Sequence, residues 1–183
     1  MIRVIAGKAK GRKLKGPTGL DYRPTTGRVK EFIFSYLGPS ILDSTILDLF
    51  SATGSLGIEA ISRGASHVTF VEQAGAQIKT IQSNLALCGF ESQGSLLKGD
   101  VFRMIASLSG SGSFDFILAD PPYKANYHHQ IVQSAGQAGI LKPRGRLIVE
   151  HETHDQFNSE TTLVCVRERK FGSNFVSVYE NPV

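Results

Sequence analysis

Between residues 45 and 152 two rhythms alternate along the chain. Short, nearly continuous apolar runs ("TILDLF" from 45, "HVTFVE" from 67, "GSLLKGD" from 94, "FDFILAD" from 114, "RLIVEHE" from 146) read as strands buried on both faces. Between them, apolar residues recur every three or four positions. "GSLGIEAISRG" predicts a helix ending before Gly64, and "GAQIKTIQSNLALCG" a helix closed by Gly89. "VFRMIASL" predicts a short helix, "SGSGS" a flexible loop, and residues 127–138 another helix. Strand–helix alternation with short links implies a parallel sheet with right-handed crossovers and helices on both faces. Upstream, Val29, Phe32, Ile33, Tyr36 and Leu37 form one helical face, with Thr25 or Thr26 as N-cap. The first residues, "IRVIAGKAKGRKLKG", predict a small hairpin. The tail, "TLVCVRERKFGSNFVSVYE", predicts two strands around a turn at Gly172, so at least one strand runs antiparallel.

At 183 residues the chain has the size of one domain, or one domain with a small attachment. We divide it into a basic arm over residues 1–24 and a domain over residues 25–183. No apolar run reaches the roughly 20 residues of a membrane span. The first residues have charges but no apolar core, so no signal peptide is expected. Cys88 and Cys165 stand far apart without a CxxC pattern, which points to a reducing, cytoplasmic setting. The net charge of +4 hides an asymmetry: residues 1–30 hold nine basic residues and one acid, while the remainder carries a net −4. A basic arm on a mildly acidic body suits a polyanion, most often nucleic acid. Lys8, Lys10, Arg12, Lys13, Lys15 and Arg28 are the candidate contacts.

"LDLFSATGSLG" (47–57) joins the first long strand to its helix. Gly54 and Gly57 clear side chains from a turn where parallel sheets bind ligands, although Ala52 stands where a dinucleotide fingerprint has glycine. Asp48, Glu72 and Asp100 end three successive strands and line one rim. Asp100 is equally suited to cap the helix from Val101. An acid at Glu72 suits ribose hydroxyls, in NAD or in S-adenosylmethionine. Asp48 near the turn repels a pyrophosphate but suits a sulfonium, which favours S-adenosylmethionine.

"DPPY" (120–123) ends the fourth strand on the same rim. Proline removes N–H donors but leaves carbonyl acceptors. With Asp120 as a further acceptor and Tyr123 as a flat face, Pro121 and Pro122 complete a site suited to an amino group on a planar base. The four histidines at 128, 129, 151 and 154 have no zinc-site spacing, and no metal is expected.

At these residues the chain resembles a known family. "DPPY" resembles the [DNS]PP[YF] motif of amino-directed S-adenosylmethionine methyltransferases. Together with "RPTTGRVKEFIFSYL", "LDLFSATGSLGIEAISRGA", "FVE", "LIVEHE" and "KFGSNFVSVYE", it resembles the bacterial 16S ribosomal RNA guanine-N2 methyltransferases (RsmD-like), nearly end to end. The resemblance implies an α/β fold of the class I methyltransferase type. Its core is a Rossmann-like seven-stranded, mostly parallel sheet with an antiparallel C-terminal hairpin, plus a small basic N-terminal β-hairpin. It implies S-adenosylmethionine as cofactor and 16S rRNA as partner, in an assembling small subunit, with a monomeric enzyme. It implies cofactor contacts from Asp48, Ser51, Thr53 and Gly54, from Arg23 and Thr25, from Glu72 at the ribose, and from Asp100 and Val101 at the adenine. Asp120, Pro121, Pro122 and Tyr123 would hold the guanine. The motif itself admits adenine N6, or a protein glutamine, as the acceptor. Ala52 and Gly27 depart from the family pattern, and Ala52 is comfortable only if its φ is negative.

Overall fold

The computed structural model describes residues 2–17, 25–122, 127–152 and 161–182. Seven strands form the central sheet. They are β3 (Thr45–Leu49), β4 (His67–Glu72), β5 (Gly94–Lys98), β6 (Phe114–Ala119), β7 (Leu141–His151), β8 (Val164–Phe171) and β9 (Asn174–Glu180). They lie in the order β5-β4-β3-β6-β7-β9-β8. The five strands from β5 to β7 are parallel; β9 runs antiparallel to β7 and to β8. The expected mostly parallel sheet with a reversed terminal hairpin is therefore present. From β3 the chain builds outward to β4 and β5, then returns to place β6 on the other side of β3. The strand order reverses between β3 and β6, and a crevice opens there at the carboxyl ends.

Helices cover both faces. On one face lie α1 (Gly27–Leu37), α2 (Ser55–Ser62) and α3 (Gly75–Cys88); on the other lie α4 (Val101–Ser107) and α5 (Tyr127–Ala138). Strand alternation feeds both layers: Ile46 packs with the first group, Leu47 and Leu49 with the second. Thr26, extended at φ −68° and ψ 154°, caps α1 by accepting from the Val29 N–H, which leaves Thr25 outside the cap.

The N-terminal hairpin is β1 (Ile2–Arg3) against β2 (Lys13–Leu14). Its Ile2, Val4, Ala9 and Leu14 are buried in the same core as α1 and α2. Glu59 on α2, wholly buried, accepts the N–H groups of Ile5 (2.7 Å) and Ala6 (3.0 Å) and pairs with Arg63 and Lys30. Two expectations needed correction. The fifth strand begins at Leu141, not Arg146: "LKPRG" looks like a turn, yet Leu141 pairs with Phe114 and a register shift absorbs the irregularity. The "SGSGS" loop is pinned, its Gly110 and Gly112 N–H groups donating to Ala138 and Gly139.

Candidate active site

The crevice between β3 and β6 is built from four short stretches. Asp48 lies in β3. Phe50 to Ser55 form the turn into α2. Asp120 follows β6, and Thr25 precedes α1. Pro17, Thr25, Asp48, Phe50, Ser51, Ala52, Thr53, Ser55, Leu56 and Asp120 line one cavity there.

The turn is tightly wound. Phe50, Ala52 and Gly54 alternate in the left-handed region, at φ 55°, 47° and 75°. The φ of Ala52 is positive, so of the two cases its residue type allowed the strained one holds, at about 1 kcal/mol. Two acids hold the coil. The Asp48 Oδ2 accepts the Gly57 N–H at 3.0 Å, and Glu72 accepts Ala52 N–H (2.9 Å) and Ala74 N–H (2.8 Å) on its two oxygens. Gly57 has no room for a side chain, since a Cβ there would stand 2.3 Å from the Phe70 ring.

Asp48 is 1% exposed. Burial pushes its carboxyl up to about 8; the Gly57 hydrogen bond opposes this, and the charges of Asp120 and Glu72 add to it. Asp120 is also raised, by burial first and then by the neighbouring charge of Glu150. Thr25 donates its hydroxyl to the Asp120 Oδ2, which opposes the shift. Pro121 is buried and Pro122 exposed beside it.

Of the predicted residues, the fold brings Thr25, Asp48, Ser51, Thr53 and Asp120 to this cavity. Gly54 and Glu72 shape its turn. Asp100 caps α4, accepting the Arg103 N–H at 3.0 Å, so one oxygen serves the helix. Val101 is buried against the α4–α5 layer. Arg23 and Tyr123 lie outside the described residues. Lys8, Lys10, Arg12, Lys13, Lys15 and Arg28 are all exposed, and residues 8–13 line a shallow basic groove of their own. Gly27, the first residue of α1, has open space at its Cα. His128 and His151 stack at 3.6 Å and direct Nε2 atoms at Tyr179 and Ser177.

Several residues of the site escaped the sequence reading. Glu150, 2% exposed, sits one step past the Ala119–Val149 pairing, on the strand beside Asp120, and accepts from Asn174 at 2.8 Å. It too is an acid following an apolar run, a signal read on four other strands. Asn84 on α3 donates to the Thr53 carbonyl (2.9 Å) and exchanges hydrogen bonds with Lys15, tying the turn to the arm. No local pattern marks it. Phe50, Phe102 and Tyr127 form an aromatic trio, with Phe50 stacked on Tyr127 at 5.5 Å.

Known proteins share this architecture. The Bacillus subtilis protein YlbH, provisionally described as an rRNA methyltransferase, is 35% identical over 182 residues, covering 98% of each chain. Ribosomal RNA small subunit methyltransferase D of Haemophilus influenzae is 32% identical, covering 98% of this chain and 94% of its own. A solved Haemophilus influenzae structure, provisionally described as a methylase, superposes with a TM-score of 0.83 at 30% identity over 98% of both chains. An RNA methyltransferase from Salinibacter ruber, solved with S-adenosyl-L-homocysteine, shares the fold at a TM-score of 0.67 and 14% identity, covering 87% of this chain and 94% of its own. With its model matched over residues 2–180, the chain belongs to the family described as Conserved hypothetical protein 95.

Proposed function

We propose that this protein transfers a methyl group from S-adenosylmethionine to the exocyclic N2 amino group of a guanine in small-subunit ribosomal RNA. One observation carries the reading. Across the switch point, Asp120 stands beside a buried acid and a coiled glycine turn, in a chain 32% identical to a small-subunit rRNA methyltransferase. The residues fit the cofactor chemically. The turn offers close backbone approach, Asp48 a counter-charge, and Glu72 a carboxylate at the end of β4 of the type that accepts ribose hydroxyls. When bound, S-adenosylmethionine supplies an electrophilic methyl group on a cationic sulfur.

The chain's own part is binding and proton handling. The Thr25 hydroxyl fixes one oxygen of Asp120 and leaves the other for an amino hydrogen. The Pro121 carbonyl, which has no N–H beside it to compete, accepts the second. Both acceptors orient the nitrogen lone pair for attack. Asp120, whose raised pKa makes it a better base than an ordinary carboxylate, would take the proton that the amino nitrogen loses on methylation. Fixed dipoles and positioning supply most of the acceleration. The exposed cations Lys8, Lys10, Arg12, Lys13 and Lys15 would hold phosphates, offsetting the few kcal/mol needed to unstack the base. This reading places the enzyme in the cytoplasm, acting on an assembling subunit.

The test is methyl transfer from labelled cofactor to small ribosomal subunits that lack the modification, followed by nucleoside analysis. N2-methylguanosine is expected; an adenine-N6 product would overturn the guanine assignment. Asp120→Ala should lose transfer by at least a hundredfold, typical of removing a positioned acid–base group, while still binding S-adenosylmethionine. Unchanged turnover would sink its role.

A further inference from the structure

The outer strand β8 separates its charges by face. Residues 164–170 are all exposed. Arg167 pairs with Val178 and Arg169 with Val176, and those valines pack in the cluster that contains α1. The intervening acid, Glu168, pairs with Ser177 on the opposite face and accepts from its hydroxyl at 3.0 Å. The face toward α1 therefore carries Arg167, Arg169 and Phe171 without the acid. The Arg169 guanidinium lies 5.1 Å from the Phe32 ring of α1 and 5.3 Å from Phe171; those two rings are 5.3 Å apart. Further down the helix, Arg146 stands 5.4 Å from the Tyr36 ring and pairs with Glu180.

We propose that this strip of α1 and β8 is a second RNA-docking surface, carrying the part of the substrate that flanks the methylated base. The inference rests on the reading above. A guanidinium stacked on a ring keeps its N–H edge for phosphate oxygens, and half-exposed aromatic rings accept bases. Position supports the same occupant. Thr25, just ahead of α1, touches Asp120. Phe32 lies six residues past the Thr26 cap, roughly 9 Å along the helix. On the other flank of α1, Lys30 donates to the Arg3 carbonyl and holds the basic hairpin in place. The helix leaving the site thus runs between two cationic surfaces, with Arg28 exposed in its first turn. A polyanion crossing it meets both. Val164 and Val166, 52% and 45% exposed on the same edge strand, offer the competing occupant, a second copy of this chain.

The test is the double variant Arg167→Gln/Arg169→Gln, with binding of a labelled single-stranded RNA of mixed sequence measured against salt. Two lost phosphate contacts should make the slope of log affinity against log salt shallower by about 1.4. Affinity for S-adenosylhomocysteine should not change, and Arg169→Lys in place of the glutamine should restore about half of the slope. A variant that only melts lower, with an unchanged slope, would make the stacked arginines structural and overturn the proposal. So would a wild type that sediments as a dimer, a variant that sediments as a monomer, and equal slopes in both. Wild-type methyl transfer to ribosomal subunits keeps the two readings apart: transfer intact with an unchanged slope removes the strip alone.

Discussion

Asp48→Asn should make the protein more stable and a worse methyltransferase. Asp48 is buried, accepts the Gly57 N–H, and is raised from 3.8 to about 8. An acid raised on folding folds best protonated. The stability it permits is complete below about pH 4 and is lost as pH climbs toward 8, by up to about 1.4 kcal/mol per unit. At pH 7 the ceiling is about 4 kcal/mol. Asparagine keeps an oxygen for the Gly57 N–H and carries no charge. The urea midpoint of Asp48→Asn should therefore exceed wild type at pH 7 and match it near pH 4. Cofactor binding should move the opposite way, because a sulfonium recruits the ionised form. Wild-type affinity for S-adenosylmethionine should rise about fiftyfold between pH 6 and pH 8, the ratio expected for an acid near 8 that ionises on binding. S-adenosylhomocysteine, neutral at sulfur, should show a much weaker rise. Calorimetry at pH 7 in buffers of different ionisation enthalpy should read about 0.9 proton released per S-adenosylmethionine bound. Repeating it in Asp120→Asn isolates Asp48. Equal stabilities at both pH values, or a flat affinity without proton release, would refute the argument.

Ala52→Gly relieves a positive φ of 47° and should stabilise the protein by about 1 kcal/mol in chemical denaturation; no gain would mean the turn absorbs the strain. Gly7→Ala should do the reverse. Its φ is 81° and its Cβ would stand 1.8 Å from the Ser62 carbonyl oxygen, so the hairpin must shift off α2. A loss of roughly 2–4 kcal/mol and faster proteolysis within residues 2–15 are expected, and an unchanged melting temperature would contradict the docking described. Glu150→Gln removes a charge that raises Asp120, so the acid limb of the pH–rate profile should move to lower pH; an unmoved limb would separate Glu150 from the proton transfer.

What the sequence announces and what it conceals divide along a physical line. Strands, helices and the acids at strand ends are local: the apolar period changes from continuous to helical, and Asp48, Glu72, Asp100 and Asp120 each close a run. The couplings among them are not local. The positive φ of Phe50 contradicts what its residue type favours, and its ring packs against Phe102 and Tyr127, 52 and 77 positions onward. Leu141 reads as the edge of a turn until Phe114 is beside it. Glu150 has the same local signature as the other rim acids. Its partner Asn174 arrives from a strand that pairs antiparallel, so nothing in the parallel repeat anticipates the contact. The charges of β8 teach the same lesson in reverse. Along the chain, Arg-Glu-Arg-Lys lies in a run that predicts a strand, and the period-two alternation of that strand, once paired, separates the acid from the arginines. Asp48 joins both sides. Its place at the end of β3 is legible, but its raised pKa comes first from burial, against the opposing Gly57 hydrogen bond, with the charges of Asp120 and Glu72 from the two neighbouring strands adding to it. An acid readable as a counter-charge is thus held, without its cofactor, in the form that favours the neutral carboxyl. That difference between residue type and charge state is what the Asp48→Asn experiment measures.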